Sequence, residues 1–218
     1  MKFVMSYSCG KDSALALYRM LQKHHRPVGL LVMINKGQQR SWFHGVDKPL
    51  LEAVSKSVNI PLILCECKGS DYNAAMELGV AGAKELGAEV AAFGDIDIEE
   101  HREWCTQRCI PSGLKAVFPL WQEDRLELTR EVIDLGFKAV VKCVEKAKTQ
   151  PEFLGATLNH KLVSEIIAGG ADGCGENGEY HTFVYDGPIF SYPLSIEMGK
   201  VLDFSTHAAI DIKYKPST

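Results

Sequence analysis

The chain has 218 residues, of which 46% are hydrophobic and 24% charged, and its formal net charge is −4. These values are typical of a globular protein, the apolar runs are too short to span a bilayer, and the acidic charge argues against broad binding of nucleic acid. We expect no signal peptide after Met1-Lys2, and the seven scattered cysteines predict reduced thiols in a cytoplasmic protein.

The chain opens with a predicted strand, a polar loop and a predicted helix. Residues 3–5 are apolar and begin the strand, and the apolar residues from Ala14 to Leu21 recur at helical spacing. Between them lies the N-terminal loop, residues 8–13. Unpaired amides and the positive end of the helix dipole meet at a helix N-terminus, so the sequence predicts an anion site in this loop.

The N-terminal loop does not fit the Walker pattern, which needs a glycine in place of Met5 and a Ser or Thr in place of Asp12. It resembles the Ser-Gly-Gly-Lys-Asp-Ser loop of ATP pyrophosphatases, with Cys9 in place of the glycine at the second position. That resemblance implies that the loop holds the β- and γ-phosphates while the α-phosphorus is attacked. The alternative is an ordinary polar turn, and Cys9 is either a nucleophile or simply a small replacement for glycine.

Strands and helices alternate through the first half of the chain. Residues 28–34, 61–65 and 90–93 have strand character, and helical patterns separate them near residues 50–58 and 75–86. This alternation predicts βαβ units and a parallel sheet, in which ligands bind beyond the carboxyl ends of the strands. The N-terminal loop, the loop after Ile34 and the Gly94-Asp95 turn should therefore lie at one edge of the sheet.

The pattern changes near residue 122, and we predict one domain over residues 1–122 and a second over residues 123–218. Residues 98–109 form a predicted charged helix, and residues 117–121 an edge strand or turn. The second domain should contain the following elements: a helix to Leu135, a strand at 137–144, a helix at 158–167, a hairpin at 183–190, and strands at 201–204 and 209–214.

A glycine-rich stretch, residues 173–182, contains Glu176, Glu179 and His181. Its carboxylates could serve Mg²⁺ or a cationic substrate. The alternative is a hairpin whose acids are solvated, and the residue types by themselves favour that alternative.

Several motifs together resemble the diphthine–ammonia ligase family of pyrophosphate-loop proteins. They occur in matching order over nearly the whole chain: residues 8–13, 94–96, Arg102 with Cys105, 119–121, 175–182 and 186–188. The resemblance implies a HUP-like α/β/α sandwich that binds the nucleotide and a smaller α+β C-terminal domain. It also implies ATP-dependent adenylation of a carboxylate and displacement of AMP by ammonia, with the diphthine side chain of elongation factor 2 as acceptor.

The same resemblance and the residue chemistry give the expected site. The residues expected to bind ATP are Ser8, Cys9, Gly10, Lys11, Asp12, Ser13, Met33, Ile34 and Gly94. The expected catalytic residues are Lys11, Asp12, Asp95, Glu176 and Glu179. The residues expected to bind the acceptor are His44, Arg102, Glu176, Glu179 and His181. Asp12 and Asp95 are the candidate ligands of Mg²⁺, although Asp12 could instead order its loop, and His44 could make only a local hydrogen bond.

Three other functions remain open from the sequence. The chain could adenylate a different carboxylate, thiolate RNA, or bind ATP without turnover. RNA thiolation predicts a basic surface or paired catalytic cysteines, and the pI near 6.0 argues against it. Cys105 and Cys109 have no second pair with which to form a zinc site. We expect ATP, ammonia and an acceptor as partners and no membrane, while an oligomer is possible.

Overall fold

The computed structural model describes residues 1–42 and 44–215. It confirms the predicted fold class, with a mostly parallel sheet in the first half of the chain and a separate antiparallel sheet in the second. Of the helices in the described part of the chain, none is long and apolar enough to cross a membrane.

The first sheet has six strands. In chain order they are β1 (Lys2–Ser6), β2 (Arg26–Asn35), β3 (Arg40–Ser41), β4 (Leu62–Cys67), β5 (Val90–Ala92) and β6 (Lys115–Val117). The parallel strands lie in the order β4-β2-β1-β5-β6, and β3 pairs antiparallel with the end of β2. The helices between them are α1 (Lys11–Gln22), α2 (Lys48–Val58), α3 (Tyr72–Glu85) and α4 (Glu99–Cys109), and a short 3-10 turn at Ile110–Ser112 follows α4.

Both faces of this sheet are buried. Phe3 and Met5 pack in one core with residues of α1 and α2, whereas Val4 belongs to a second core with residues of α3 and α4. Successive side chains of a strand point to opposite faces, so a strand covered on both sides must be apolar throughout. The continuous apolar runs of the sequence follow from this arrangement.

The second sheet has the strand order β8-β7-β10-β9. In chain order its elements are α5 (Arg125–Asp134), β7 (Lys138–Glu145), α6 (His160–Ala168), β8 (Tyr180–Asp186), β9 (Ile196–Asp203) and β10 (His207–Tyr214), with a 3-10 turn at Pro151–Phe153. The hairpin predicted at residues 183–190 is wrong. Residues 187–190 form a turn, closed by the bond from the Phe190 N–H to the Gly187 carbonyl, and β8 pairs with β7 instead.

The two sheets share one core through α1 and α2. Side chains of both helices belong to the same buried cluster as those of β7, β8 and β10. The Val184 N–H of β8 donates to the Cys9 carbonyl at 2.9 Å. The division predicted at residue 122 stays a prediction, but α1 and its preceding loop lie where the two sheets meet.

Candidate active site

The N-terminal loop lies at the point where the connections of the first sheet reverse direction. β1 is the neighbour of β5, and the chain leaves them toward opposite faces of the sheet. Ligands of open α/β sheets bind at such a point. A Cβ on Gly94, just after β5, would lie 2.9 Å from the Ser13 nitrogen, so only glycine allows the two loops to approach this closely.

The backbone of the N-terminal loop is arranged to receive an anion. The Gly10 N–H donates to the Ser8 hydroxyl at 3.2 Å, and the Ser13 hydroxyl donates to the Gly10 carbonyl at 2.9 Å. Within the described residues, the backbone amides of Asp12 and Ser13 have no hydrogen-bond partner. Free amides at the first turn of a helix are donors for phosphate or carboxylate oxygens.

Cys9 occupies the left-handed region, with a φ of 67°. Glycine adopts this conformation without cost, which explains physically why the resembled loop has a glycine at this position. The thiol is fully buried, and this burial raises its pKa well above the ordinary value. A buried neutral thiol is a poor nucleophile, so the structure supports the interpretation of Cys9 as a small replacement for glycine.

Lys11 is buried and held by residues from both halves of the chain. Its backbone N–H donates to the Thr182 hydroxyl at 3.0 Å, and its ammonium lies 2.6 Å from the Asp12 carboxylate and 3.3 Å from the Cys174 sulfur. Burial lowers the pKa of the ammonium, but the attraction to Asp12 and its other neighbours outweighs burial, so the net shift is upward. Lys11 is therefore a permanent positive charge under the loop.

A cavity of about 260 Å³ opens between the N-terminal loop and the glycine-rich stretch. Its walls are formed by Ser6, Ser8, Lys11, Asp12, Ser13, His44, Gly94, Asp95, His101, Gly175, Glu176, Tyr180, His181 and Thr182. We call it the main cavity. It brings together most of the predicted site residues, from segments as distant in sequence as Ser6 and Thr182.

Three carboxylates face this cavity: Asp12, Asp95 and Glu176. Burial, reinforced by repulsion from Asp12 and Asp95, raises the pKa of Glu176 to about 7, although Lys11 and Arg125 oppose the shift. A carboxyl group with this pKa can exchange a proton near neutral pH, which an ordinary glutamate cannot do.

Two histidines close one side of the cavity. The rings of His44 and His181 lie 4.9 Å apart, and His44 Nδ1 lies 2.9 Å from the Thr182 carbonyl, which can only accept, so this nitrogen carries the proton. Burial, with a smaller contribution from His181, lowers the pKa of His44 to about 3. Burial also lowers the pKa of His181. Both rings are therefore neutral hydrogen-bonding groups at neutral pH.

His101 lies in the cavity wall, whereas Arg102 does not. The Arg102 guanidinium stacks over Trp121, 4.9 Å from the ring centroid, and pairs with Glu99 on the outer side of α4. His101 Nδ1 lies 3.6 Å from the Asp95 carboxylate, and the hydrogen bond to Asp95 is the main cause that raises its pKa. The sequence motif predicted Arg102 as a site residue, whereas the side chain in the cavity wall is that of the adjacent His101.

Glu179 also lies outside the cavity wall. Its Oε1 accepts from the Asp172 amide at 3.4 Å and from the Asn177 side chain at 3.2 Å, while its buried Oε2 has no partner among the described residues. The carboxylate therefore faces the turn of the glycine-rich stretch and not Glu176. Of the two glutamates of the glycine-rich stretch, only Glu176 lines the main cavity.

Met33 and Ile34 lie beside the main cavity and not in it. Met33 helps to line a smaller depression of about 60 Å³ with Ser8, Trp42 and Tyr72, and its carbonyl accepts the Trp42 N–H at 3.0 Å. Ile34 is fully buried in β2 and pairs with β3. The adenine ring of ATP could contact this depression. The Met33 carbonyl, however, has only one lone pair left to accept a further hydrogen bond, because the other accepts the backbone N–H of Trp42.

Arg125 connects the glycine-rich stretch to the first sheet. Its guanidinium makes two bonds of 2.7 Å to Asp97, which follows β5, and one of 2.7 Å to Asp172. A fourth bond, of 3.1 Å, reaches the Asn177 side chain, next to Glu176. This fork fixes the segment that bears Glu176 relative to Asp95. The sequence offered no signal for it.

The carboxylates of the main cavity fit a magnesium ion that arrives with a nucleotide. Among the described residues, no three of His, Cys, Asp and Glu are grouped as a preformed metal site. Mg²⁺ bound to nucleotides usually takes one or two protein carboxylates and completes its shell with phosphate and water. Burial is the main cause that raises the pKa of Glu176, and a nearby cation would relieve the repulsion from Asp12 and Asp95 that adds to it.

Comparison with known proteins identifies two consecutive family matches. The model of the diphthamide synthase N-terminal domain matches residues 1–116, and that of the diphthamide synthase C-terminal domain matches residues 124–216.

Individual relatives are distant but cover much of the chain. The human diphthine–ammonia ligase is 26% identical over 73% of this chain. The rat protein of that name is 23% identical over 98% of this chain and 90% of its own length. The fission-yeast protein of that name is 29% identical over 99% of this chain and 39% of its own length. The chain spans 61% of the length of the human relative.

Proposed function

The chain belongs to the diphthamide synthase family, and we propose that it is an ATP-dependent ligase that adenylates a carboxylate and amidates it with ammonia. AMP and pyrophosphate are the other products. The observation that carries this proposal is the main cavity, in which a loop with free amides faces Asp95 and the raised-pKa carboxyl of Glu176.

The N-terminal loop would hold the β- and γ-phosphates. The free amides of Asp12 and Ser13 supply donors, and Lys11 supplies positive charge beneath the loop. The Ser8 hydroxyl donates to the Ser13 hydroxyl at 3.2 Å and so helps to shape the loop. Pyrophosphate gains negative charge as it leaves, and donors fixed in advance stabilise that charge without reorganisation. Gly94 lets the turn after β5 pack against the backbone of Asp12 and Ser13 in this loop.

Mg²⁺, when bound with ATP, would neutralise charge on the phosphates. Asp12 and Asp95 are the residues we propose to hold it, since both face the cavity from opposite loops. Asp12 already pairs with Lys11, so its carboxylate is held in place.

Glu176 is proposed as the base for the amination step. Ammonia is mostly protonated at neutral pH, and only the free base can attack the acyl carbon of the adenylate. A carboxylate whose pKa is about 7 can accept the proton that the nitrogen must lose, and AMP leaves with the electrons of the broken acyl–oxygen bond. The neutral rings of His44 and His181 can orient the acceptor without adding charge.

Glu179 is proposed as a positioning residue. Its bonds to the Asp172 amide and to Asn177 shape the turn from which Glu176 projects. Arg102 is proposed to contact the acceptor only outside the main cavity, because its guanidinium is stacked on Trp121.

The acceptor we propose is the diphthine side chain of elongation factor 2, because the relatives carry the name diphthine–ammonia ligase. All seven cysteines are free and buried, which supports a reducing compartment such as the cytoplasm.

The decisive experiment is incubation with ATP, Mg²⁺, ammonium and elongation factor 2 that carries diphthine. We expect a one-to-one yield of AMP and amidated acceptor, measured by chromatography of the nucleotides and mass spectrometry of the acceptor. ADP and phosphate as the coupled products, or no acceptor-dependent AMP, would show the proposal to be wrong.

Two matched variants test the roles of the glutamates. Glu176→Gln should lower ligation about a hundredfold because the base is lost, with unchanged ATP affinity. Glu179→Gln keeps the acceptor oxygen for Asn177 and should retain most of the turnover. Equal losses in the two variants would contradict this division of roles.

A further inference from the structure

A second cavity, of about 440 Å³, lies next to the main cavity. It lies between the second sheet and the segment that includes the end of β2 and strand β3. Its walls include Arg40, Trp42, Lys142, Phe204 and His207. His44 belongs to the walls of both cavities. A ligand in the second cavity could therefore contact the same histidine as a ligand in the main cavity.

The second cavity is cationic in a protein whose net charge is −4. The charged residues in its described wall are Arg40 and Lys142, and no acidic side chain lines it there, although Asp211 pairs with Arg40 at 2.9 Å from outside the wall. Lys142 is only 2% exposed and donates to the Ile210 carbonyl. Burial, together with the charge of Arg40, lowers the pKa of Lys142 to about 8, against the opposing pull of Asp211, so its ammonium remains mostly protonated at pH 7.

The outer rim of this cavity is apolar and exposed. Leu202, in the edge strand β9, and Phe204, just after that strand, are 40% and 46% exposed, and both line the cavity. Met198 and Val201 of the same strand are also exposed, but they pair with Ile212 and Ile210 and lie on the other face of the sheet. Large apolar side chains that are exposed at an open sheet edge are typical of a surface that another protein covers.

We propose that the second cavity and the β9 rim form the docking site of a protein acceptor, whose carboxylate side chain enters past Phe204 toward His44. The proposal rests on the proposed function. Charge complementarity supports this occupant, since Arg40 and Lys142 carry two positive charges and Asp211, which pairs with Arg40 from outside the wall, offsets one of them. The apolar rim gives the protein around the carboxylate a surface to bury. The nucleotide would occupy the main cavity from the other side.

In this arrangement the acceptor carboxylate and the nucleotide would meet beside His44 and react in two steps. A carboxylate oxygen of the acceptor attacks the α-phosphorus of ATP, the bond to the bridging oxygen breaks, and pyrophosphate leaves with that electron pair. Ammonia then attacks the acyl carbon, AMP leaves, and the proton lost from nitrogen passes to Glu176. Arg40 and Lys142 act before these steps, by holding the carboxylate.

The test measures acceptor binding and turnover separately. Labelled elongation factor 2 that carries diphthine is titrated with wild type, Phe204→Ala, Leu202→Ala and Lys142→Met, with Leu86→Ala as a control, because Leu86 is exposed at the end of α3. We expect Phe204→Ala and Leu202→Ala to weaken acceptor binding and raise its KM about tenfold, with unchanged ATP affinity. Lys142→Met should raise KM further, and Leu86→Ala should change nothing.

The outcomes separate the two proposals. Unchanged acceptor affinity in both rim variants, with an active wild type, would overturn the docking site. Rim variants that change only the oligomeric state, measured by light scattering, would overturn it as well, because β9 would then be an interface between copies of this chain. Weakened acceptor binding in the rim variants of a wild type that forms no AMP would overturn the proposed function and support the docking site.

Discussion

The hydroxyl of Thr182 accepts a hydrogen bond from the backbone N–H of Lys11 at 3.0 Å, although the two residues are 171 positions apart. Gly10, the N-cap residue of α1, has no side chain with which to cap the helix. The cap is supplied by β8 of the second sheet. The conformation of the N-terminal loop therefore depends on the docking of the second half of the chain.

The first prediction concerns this cap. Thr182→Val keeps the shape of the side chain and removes the acceptor oxygen, so we expect a loss of about 1 kcal/mol in the free energy of unfolding. Thr182→Ser keeps the hydroxyl and should recover most of that loss. Urea unfolding measures both variants, and equal stability of the Val and Ser variants would show that the bond contributes nothing.

The second prediction concerns Lys11. Replacing it by methionine removes the positive charge beneath the loop, and hydrogen bonds to charged groups contribute about 1.5–3 kcal/mol, so ATP affinity should fall roughly 10- to 150-fold. Lys23→Met is the control, because Lys23 is exposed at the other end of α1. Titration calorimetry on folded protein measures both, and unchanged ATP affinity in Lys11→Met would show that the loop does not bind the phosphates.

The third prediction is a pH dependence that arises from Glu176. Burial raises the pKa of Glu176 to about 7, so ligation by the wild type, measured at a constant concentration of free ammonia, should rise with pH through 7 as the carboxyl group loses its proton, and then level off. Glu176→Gln should abolish this inflection while a low rate remains. A rate profile with the same inflection in the variant would assign the ionisation to another group.

The raised pKa of Glu176 should also make the free energy of unfolding depend on pH. The pKa of Glu176 is raised above its ordinary value of 4.5, so the folded chain binds this proton more tightly than the unfolded chain. Its contribution therefore becomes less favourable as pH rises from about 4.5 to about 7. We expect the stability of Glu176→Gln, relative to wild type, to increase across that window in pH-dependent urea unfolding. A constant difference would contradict the raised pKa.

The fourth prediction concerns the Arg125 fork. Arg125→Met removes the bonds to Asp97, Asp172 and Asn177, so the segment bearing Glu176 should move more freely. We expect kcat to fall about tenfold from lost positioning, with a loss of about 1 kcal/mol in unfolding free energy and unchanged ATP affinity.

Arg130→Met is the matched control for that variant. Arg130 lies on the same helix and pairs only with the exposed Glu127 in the described structure. It should behave as wild type in kcat and in stability. Similar losses of kcat in the two variants would show that the charge of α5, and not the fork, is what matters.

Local patterns predicted the first half of the fold well. The apolar runs at residues 28–34 and 90–93 became β2 and β5 because parallel strands buried on both faces leave a continuous apolar signal. The N-terminal loop was found because its residues are consecutive and stand between a strand and a helix. The hairpin at residues 183–190 was predicted wrongly, since the apolar Ile189 and Phe190 pack from a turn and not from a strand.

The other features of the site could not be predicted, because they depend on the directions of side chains and on contacts between residues that are distant in sequence. Adjacent residues of a helix point about 100° apart, so the motif around Arg102 could not indicate that His101 is the side chain that faces Asp95. The bond between Thr182 and Lys11 and the Arg125 fork join distant segments, and no spacing rule reports them. For Glu179, proximity to Glu176 in the sequence was misleading because the turn sends the two carboxylates in different directions.

The core shared by the two sheets limits how the protein can be divided. A fragment that stopped near residue 122 would expose the sides of α1 and α2 that now contact β8 and β10. Such a fragment would lack the helix cap from Thr182 and would present an apolar surface to water, which promotes aggregation. Nucleotide affinity measured on that fragment would therefore report on a different loop from the one in the intact chain.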